Sequence, residues 1–297
     1  MEKKQPLLPI TLERTLSAIS TYTPTQPLTV IICSYPKSGT TWMQNVIYEL
    51  LALQSFRTTS KKTTLSHISN YCPFIENDKA WSFSSTPPQL ASNHLEAHSG
   101  INATIFNTHL YLSTMPSGDN IKYIYMMRHA RDVCNSFYYH LSHQAPEDGG
   151  YTGSRSDFVK EWSNGEIAFG SWGDHLKSWL NSDGTVKDSR CLRVNYSDMK
   201  RDIEGSVRRV AMHIGVGEIT DEELDDIVPR LSVKYMKDNI EKFEPRSVKW
   251  VDKGDGFSFV RKGNEGDGKK EFEEEDEKVF LEGFETFPPP EGCVDLL

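Results

Sequence analysis

Lys37, Ser38, Thr40 and Thr41 fall within one seven-residue run, Pro36-Lys37-Ser38-Gly39-Thr40-Thr41-Trp42. Lys37 supplies a point charge and the three hydroxyls supply short donors. Before the run stands an apolar, β-branched stretch, Val30-Ile31-Ile32; after it Trp42, Val46, Ile47, Leu50 and Leu51 recur at helical spacing. The pattern predicts strand, tight loop, helix. The first N–H groups of a helix have no intrahelical partner and its dipole favours negative charge there, so such a loop cradles phosphate or sulfate. The ordinary nucleotide loop, G-x-x-x-x-G-K-[ST], carries its lysine after the second glycine. Here Lys37 precedes Gly39 and the first glycine is missing, so an ordinary ATP or GTP site is not expected.

Three further candidates stand at the ends of predicted strands. Ala103-Thr-Ile-Phe runs into Asn107-Thr108-His109, Ile121 to Met127 runs into Arg128, and Cys191-Leu-Arg-Val-Asn runs into Tyr196. A mainly parallel sheet binds its ligands beyond the carboxyl ends of its strands. Arg128 is a fork-shaped cation suited to a discrete phosphate; its plainer reading is an ion pair with Asp132. A lone histidine after a short strand is more often structural than reactive, but an imidazole with an ordinary pKa near ~6.5 suits a general base. Tyr196 reads equally as a half-buried core tyrosine.

The elements that must position these groups are legible in outline. Strands alternate with helices along the 297 residues, which predicts an α/β fold whose central, mainly parallel sheet has helices on both faces, in a single domain over 1–297. Residues 1–27, with Pro6, Pro9, Pro24 and Pro27, read as an extended lead-in; residues 57–100 as irregular, ligand-facing structure; Gln144 to Ser156 as a mobile loop; Thr220 and Glu223 as a capping box. Residues 271–297 read as an acidic helix and tail, stopped at Pro288-Pro-Pro. The net charge of −9 and the absence of a dense basic run argue against a nucleic-acid partner. An anionic ligand must therefore be held by a few focused cations. Five scattered cysteines without a CxxC pair argue against a disulfide framework or a zinc site, and no carboxylate cluster suggests another metal. No apolar run approaches the ~20 residues needed to span a bilayer. The expectation is a soluble, cytoplasmic protein with no membrane partner.

Four segments, in order, resemble the cytosolic sulfotransferases, which use 3′-phosphoadenosine 5′-phosphosulfate (PAPS) and release PAP. Tyr35-Pro-Lys-Ser-Gly-Thr-Thr-Trp42 is similar to the family's 5′-phosphosulfate loop. Asn107-Thr-His-Leu110 is similar to its K-T-H-L segment, Arg128 to His140 to its 3′-phosphate segment, and Arg261-Lys262-Gly263-Asn-Glu-Gly266-Asp267 to its R-K-G-x-x-G-D loop. Phe169-Gly-Ser-Trp172 and Met236-Lys-Asp-Asn239 are weaker echoes. The matches run from about residue 28 to 270.

The resemblance implies the sulfotransferase fold and sulfuryl transfer to a hydroxyl or amine of a small-molecule acceptor. It implies a catalytic set of Lys37, His109 and Ser136, with His109 as the general base. For the cofactor it implies Lys37, Ser38, Gly39, Thr40, Thr41 and Trp42 on one side, and Arg128, Ser136, Tyr196, Arg261, Lys262 and Gly263 on the other. Trp42 has a second reading as a core tryptophan, and Lys262 as a solvated one. No metal is expected, because a sulfuryl group carries less charge than a phosphoryl group. Phe74, Trp81, Phe83, Tyr139 and His140 form an aromatic acceptor set suited to an apolar or planar body.

The chain also departs from the family. Asn107 replaces the lysine before T-H-L, Gly268 replaces the tryptophan of G-D-W-K, Val233 replaces the phenylalanine of T-S-F, and Glu273-Glu274 replace the T-V of the dimer motif. The chain thus reads as a divergent member, monomer or homodimer, whose dimer motif is not recognisable. Two alternatives remain at this stage: a PAP(S)-binding protein with weakened catalysis, and an ATP-dependent small-molecule kinase.

Overall fold

The computed structural model describes residues 5–261 and 263–297; Lys262 lies outside the described residues. Among the described residues six strands follow in chain order: β1 Thr29–Ser34, β2 Trp81–Ser82, β3 Gln89–Leu90, β4 Thr104–Thr108, β5 Ile121–Met127 and β6 Cys191–Asn195. The central sheet has the order β4-β1-β5-β6 and all its pairs are parallel. β2 and β3 form a separate antiparallel pair.

The β-branched and aromatic runs form strands because both faces of the sheet are covered, which removes the polar alternation of a half-exposed strand. All six residues of β1 are buried. Their side chains alternate between two cores: Ile31 and Cys33 point into one, Val30 and Ile32 into the other. In β5, Tyr123, Tyr125 and Met127 join the first core and Ile124 and Met126 the second. The second core is closed by helix Thr40–Thr59, through Met43, Val46, Ile47, Leu50 and Leu51, and by helix Ile203–Ile214, through Val207, Val210, Ala211 and Ile214. The first is closed by helices Ala130–Ser142, Arg155–Ser163, Trp172–Trp179 and Glu274–Thr286. There Trp162 and Phe280 stack with ring centres 5.6 Å apart. The fold is the α/β arrangement expected, with helices on both faces.

Three local expectations are corrected. The lead-in is not extended throughout, because helix Glu13–Ser20 buries Thr15, Ala18 and Ile19; the prolines bracket a proline-free segment long enough to coil. Residues 57–100 contain helix Ser92–Ile101. Its Ser, Asn and His content hides it, yet the chain ends it with Asn102 in the left-handed conformation, φ 51°. The mobile loop ends earlier than expected, at Ser154, which caps helix Arg155–Ser163. The capping box at Thr220 and Glu223 forms as the sequence predicts. Among the described residues no helix is long and apolar enough to cross a membrane.

Candidate active site

One cavity of about 480 Å³ lies over the carboxyl ends of the sheet. Lys37, His109, Arg128 and Tyr196 all line it, each from the loop or helix that continues one of the four strands. Gly39, Thr40, Thr41, Trp42, Ser136, Arg261 and Gly263 line it too. Five separate stretches of sequence therefore meet in one place.

The loop after β1 is shaped to receive an anion. Gly39, at φ 100°, is the residue before helix Thr40–Thr59, and no side chain caps that helix start. A Cβ on Gly39 would lie 2.7 Å from a ring carbon of Tyr196, so the position needs glycine for space as well as for conformation. Two buried donors at the loop have no partner among the described residues: the Ser38 hydroxyl and Nε of Arg128. Each buried group left unpaired costs about 1–3 kcal/mol; Arg128 lines the cavity, where a bound phosphate or sulfate oxygen would offset that cost, whereas Ser38 is buried and not among the lining residues. The donor set therefore fits a phosphosulfate.

Lys37 itself adopts φ 67°, a left-handed conformation that costs a non-glycine residue roughly 1–2 kcal/mol. Its Nζ donates to Nδ1 of His140 at 3.2 Å and lies 4.5 Å from the ring centre of Phe259. Burial, reinforced by Arg128 and Arg261, lowers its pKa to about 7. An anionic ligand would favour the charged form of this amine.

His109 is fixed from three sides. Its Nδ1 lies 2.8 Å from the carbonyl oxygen of Ser34. A carbonyl only accepts, which assigns the hydrogen to Nδ1 and leaves the lone pair on Nε2. Its backbone N–H donates to Oε1 of Glu76 at 2.6 Å, and its carbonyl oxygen accepts from Nε2 of His175 at 3.1 Å. Burial, and then the charge of Lys37, hold its pKa down at about 4 against the pull of the Ser34 hydrogen bond. His109 is therefore a neutral imidazole near neutral pH. Glu76 is wholly buried, and burial raises its pKa to about 8. Nothing in Pro73-Phe-Ile-Glu76 marked this carboxyl as a neighbour of His109.

Across the cavity, Arg128 makes the ion pair with Asp132 that its plainer reading predicts, and it also lines the cavity. Its Nη2 lies 3.6 Å from Asp132 and also donates to the carbonyl of Asn264 at 2.8 Å, while its guanidinium lies over the ring of Tyr196. Asp132 accepts from the backbone N–H groups of Gly266 and Gly268, at 3.1 and 2.9 Å. These bonds tie the loop around Gly263 to helix Ala130–Ser142. Tyr196 and Lys200 both donate to the carbonyl of Gly263.

Gly268 now has a physical reason. A Cβ there would sit 2.3 Å from the carbonyl oxygen of Arg131, so the loop lies directly on the helix backbone. Gly268→Ala is expected to destabilise the fold by about 1–3 kcal/mol, the usual cost of overpacking. Thermal melting of the variant beside the parent checks this, and an unchanged Tm would mean that the loop yields freely. Of the other departures, Asn107 donates from Nδ2 to the carbonyl of Cys72 at 2.9 Å, and Val233 packs where a Cβ on Gly263 would stand. Glu273 donates its backbone N–H to the carboxylate of Asp276 at the start of helix Glu274–Thr286.

The aromatic acceptor set divides. Phe74, 5.4 Å from the His109 ring, lines the cavity, as does His140. Trp81, Phe83 and Tyr139 are not among the lining residues. Trp81 is buried in the first core, stacked on Phe106, with Nε1 bonded to the carbonyl of Ile75. Phe83 packs at the edge of that core under the guanidinium of Arg14. Tyr139 turns away from the cavity, donates to Glu271 at 3.0 Å and carries Arg261 on its ring at 4.3 Å. Phe169, 5.1 Å from the His109 ring, lines the cavity and was not singled out for the acceptor. Its place in the Phe169-Gly-Ser-Trp172 echo was the available signal. Trp42 is half-buried against the second core, its Nε1 donates to the carbonyl of Leu231, and it lines the cavity beside Tyr196.

A family model described as "Sulfotransferase domain" matches residues 27–287. Human "Sulfotransferase 1C2" is 31% identical over 254 residues, covering 83% of this chain and 78% of the relative. Guinea pig (Cavia porcellus) "Sulfotransferase 1E1" is 30% identical over 256 residues, with the same coverage of each. Among solved structures, mouse sulfotransferase SULT7A1 complexed with PAP superposes with a TM-score of 0.68 at 23% identity, covering 94% of this chain and 90% of that one. Retinol dehydratase in complex with androsterone and PAP gives 0.66 at 19% identity, covering 96% and 87%.

Proposed function

The chain belongs to the sulfotransferase domain family, and from that premise we propose that it transfers the sulfuryl group of PAPS to a hydroxyl or amine of a small-molecule acceptor by in-line displacement. PAPS, when bound, supplies an activated sulfuryl group on a phosphate leaving group, with a 3′-phosphate as a second handle. Positioning and charge stabilisation carry most of such a transfer. Lys37, Ser38, Thr40, Thr41 and the N–H groups around Gly39 hold the 5′ side. Arg128, Ser136, Arg261, Lys262 and the backbone of Gly263 hold the 3′-phosphate, and Trp42 and Tyr196 flank the adenine. His109 takes the acceptor's proton at Nε2 while Ser34 keeps its ring oriented through Nδ1. Lys37 offsets negative charge as it develops on the leaving oxygen.

The single observation that carries this reading is the approach of His109 to the anion cradle. Ser34 bonds Nδ1 of His109 through its carbonyl and Oγ of Thr40 through its hydroxyl at 2.7 Å. The base and the cradle thus share one residue. Radiolabelled transfer from PAPS, run beside transfer from ATP against the same acceptor panel, tests it. Product from PAPS alone is expected; product from ATP would replace this reading with a kinase.

The cradle also predicts a pH dependence. In the free protein Lys37 loses its proton as pH rises through about 7. A bound anion favours the charged amine, so above that pH binding must take up a proton. PAP affinity should then fall by up to about tenfold per pH unit above neutrality. Calorimetric titrations at pH 7, 8 and 9 should show Kd rising in the parent and flat in Lys37→Met. A parent Kd independent of pH would contradict the role given to Lys37.

A further inference from the structure

The net charge of the chain is −9, yet its central cavity is cationic. Lys37, Lys79, Arg128, Arg246 and Arg261 line it, and among the described residues Asp267 is the one carboxylate that does. Three of these cations are accounted for by the two phosphate groups of the nucleotide. Lys79 and Arg246 are not. Lys79 follows Phe74, the aromatic beside His109, on a segment tied to β4 where the N–H of Ile75 donates to the carbonyl of Asn107 at 3.0 Å. Arg246 stands on the segment Phe243 to Val248, which is held where the carbonyl of Glu244 bonds Nε2 of His67 at 3.1 Å.

Among the described residues neither side chain has an ion-pair or hydrogen-bond partner, although acidic residues are plentiful. Asp78, next to Lys79, is taken by Arg14 and Thr15. Both cations are exposed toward solvent and both line the cavity. Beside His109 the wall is aromatic instead, with Phe74 and Phe169, and Leu8 and Ile10 add apolar lining elsewhere in the cavity. An apolar slot at the base and unpaired cations farther out call for a ligand with an apolar body and an anionic end.

Resting on the sulfotransferase reading, we propose that the acceptor is a small organic acid: an apolar body whose hydroxyl meets His109 and whose carboxylate, or a similar anion, is met by Lys79 and Arg246. The chemistry balances simply. The acceptor oxygen gains the sulfuryl group, its proton passes to Nε2 of His109, and the phosphate leaves with the bonding pair. The acid's own charge takes no part in that step; it sets which acceptor is seated.

A hydroxyphenylalkanoic acid and its methyl ester separate this proposal from its alternatives. With the parent, the acid should show the lower KM, and added salt should narrow the gap because exposed pairs are screened. An exposed ion pair is worth at most about fivefold in affinity. Lys79→Met with Arg246→Met should therefore raise KM for the acid about tenfold more than for the ester. An ester as good as the acid, or equal changes in both KM values, overturns the proposal. Calorimetric binding of the acid to the PAP complex gives a readout independent of turnover. If neither compound is sulfated yet the acid binds in a manner lost in the double variant, the anion site stands and the transferase reading fails. If the acid does not bind, the proposal fails, whatever the enzyme does with neutral acceptors.

Discussion

Replacing His109 with Ala should lower kcat by roughly 10²–10⁴-fold, the range for a positioned general base, and leave PAP affinity almost unchanged. The ring is held in one tautomer by the Ser34 carbonyl, with its other nitrogen free of the proton. Removing it takes away the proton acceptor and leaves the Ser34 hydroxyl still bonded to Thr40, so the cradle keeps its shape. The two observables therefore separate. Single-turnover assays would read the rate, and the PAP-induced rise in Tm would read the cradle. An equal loss in both would make His109 a structural support and not the base. The pH profile gives a second reading. A base acts only while unprotonated, so the rate falls as pH drops through the pKa of the folded protein, which burial holds at about 4. The acid limb of kcat/KM for PAPS should lie well below the ordinary ~6.5 of a free imidazole. His109→Ala should lose that limb.

The sequence was most informative where burial leaves one pattern possible. β1, β4 and β5 are sandwiched between two cores, so their apolar runs carry no competing signal, and the residues that follow each strand could be placed at the sheet's carboxyl edge. That rule put His109, Arg128, Tyr196 and the Lys37 loop at one edge; the composition of the Pro36 to Trp42 run marked Lys37, and the other roles needed the family resemblance. The acceptor side followed no such rule. Trp81 and Phe83 are aromatic residues in a short hairpin region, and nothing local says that they face the core. Tyr139 and His140 are neighbours on one helix, and their spacing does not tell which faces the cavity: His140 lines it and Tyr139 does not, although the adjacent pair Ser136 and Phe137 both do. Phe169, Glu76 and Lys79 reach the site through contacts between distant segments. The unexpected helix Glu13–Ser20 shows the same limit, since prolines mark the ends of a segment without describing its middle.

Lys37→Met should lower kcat by about 10²–10³-fold, the loss seen when one preorganised charge is removed from a transition state. The ground state should suffer less, because Arg128, Arg261 and the helix start still hold the phosphates. A fall in kcat that exceeds the fall in PAP affinity would locate the role of Lys37 in the reaction itself. Methionine keeps the length and apolar stem, so Phe259 and His140 retain a packing partner. Backbone strain offers a competing explanation, because Lys37 sits at φ 67°. Lys37→Gly separates the two. Glycine adopts that conformation freely, so it should be at least as stable as the parent and as slow as the methionine variant. A glycine variant that turned over at near the parent rate would mean that the bent backbone, and not the ammonium, does the catalytic work. A slow but stable one would tie the strain to its purpose: it holds a lysine in a conformation that the chain would otherwise give to glycine, at the point where charge accumulates.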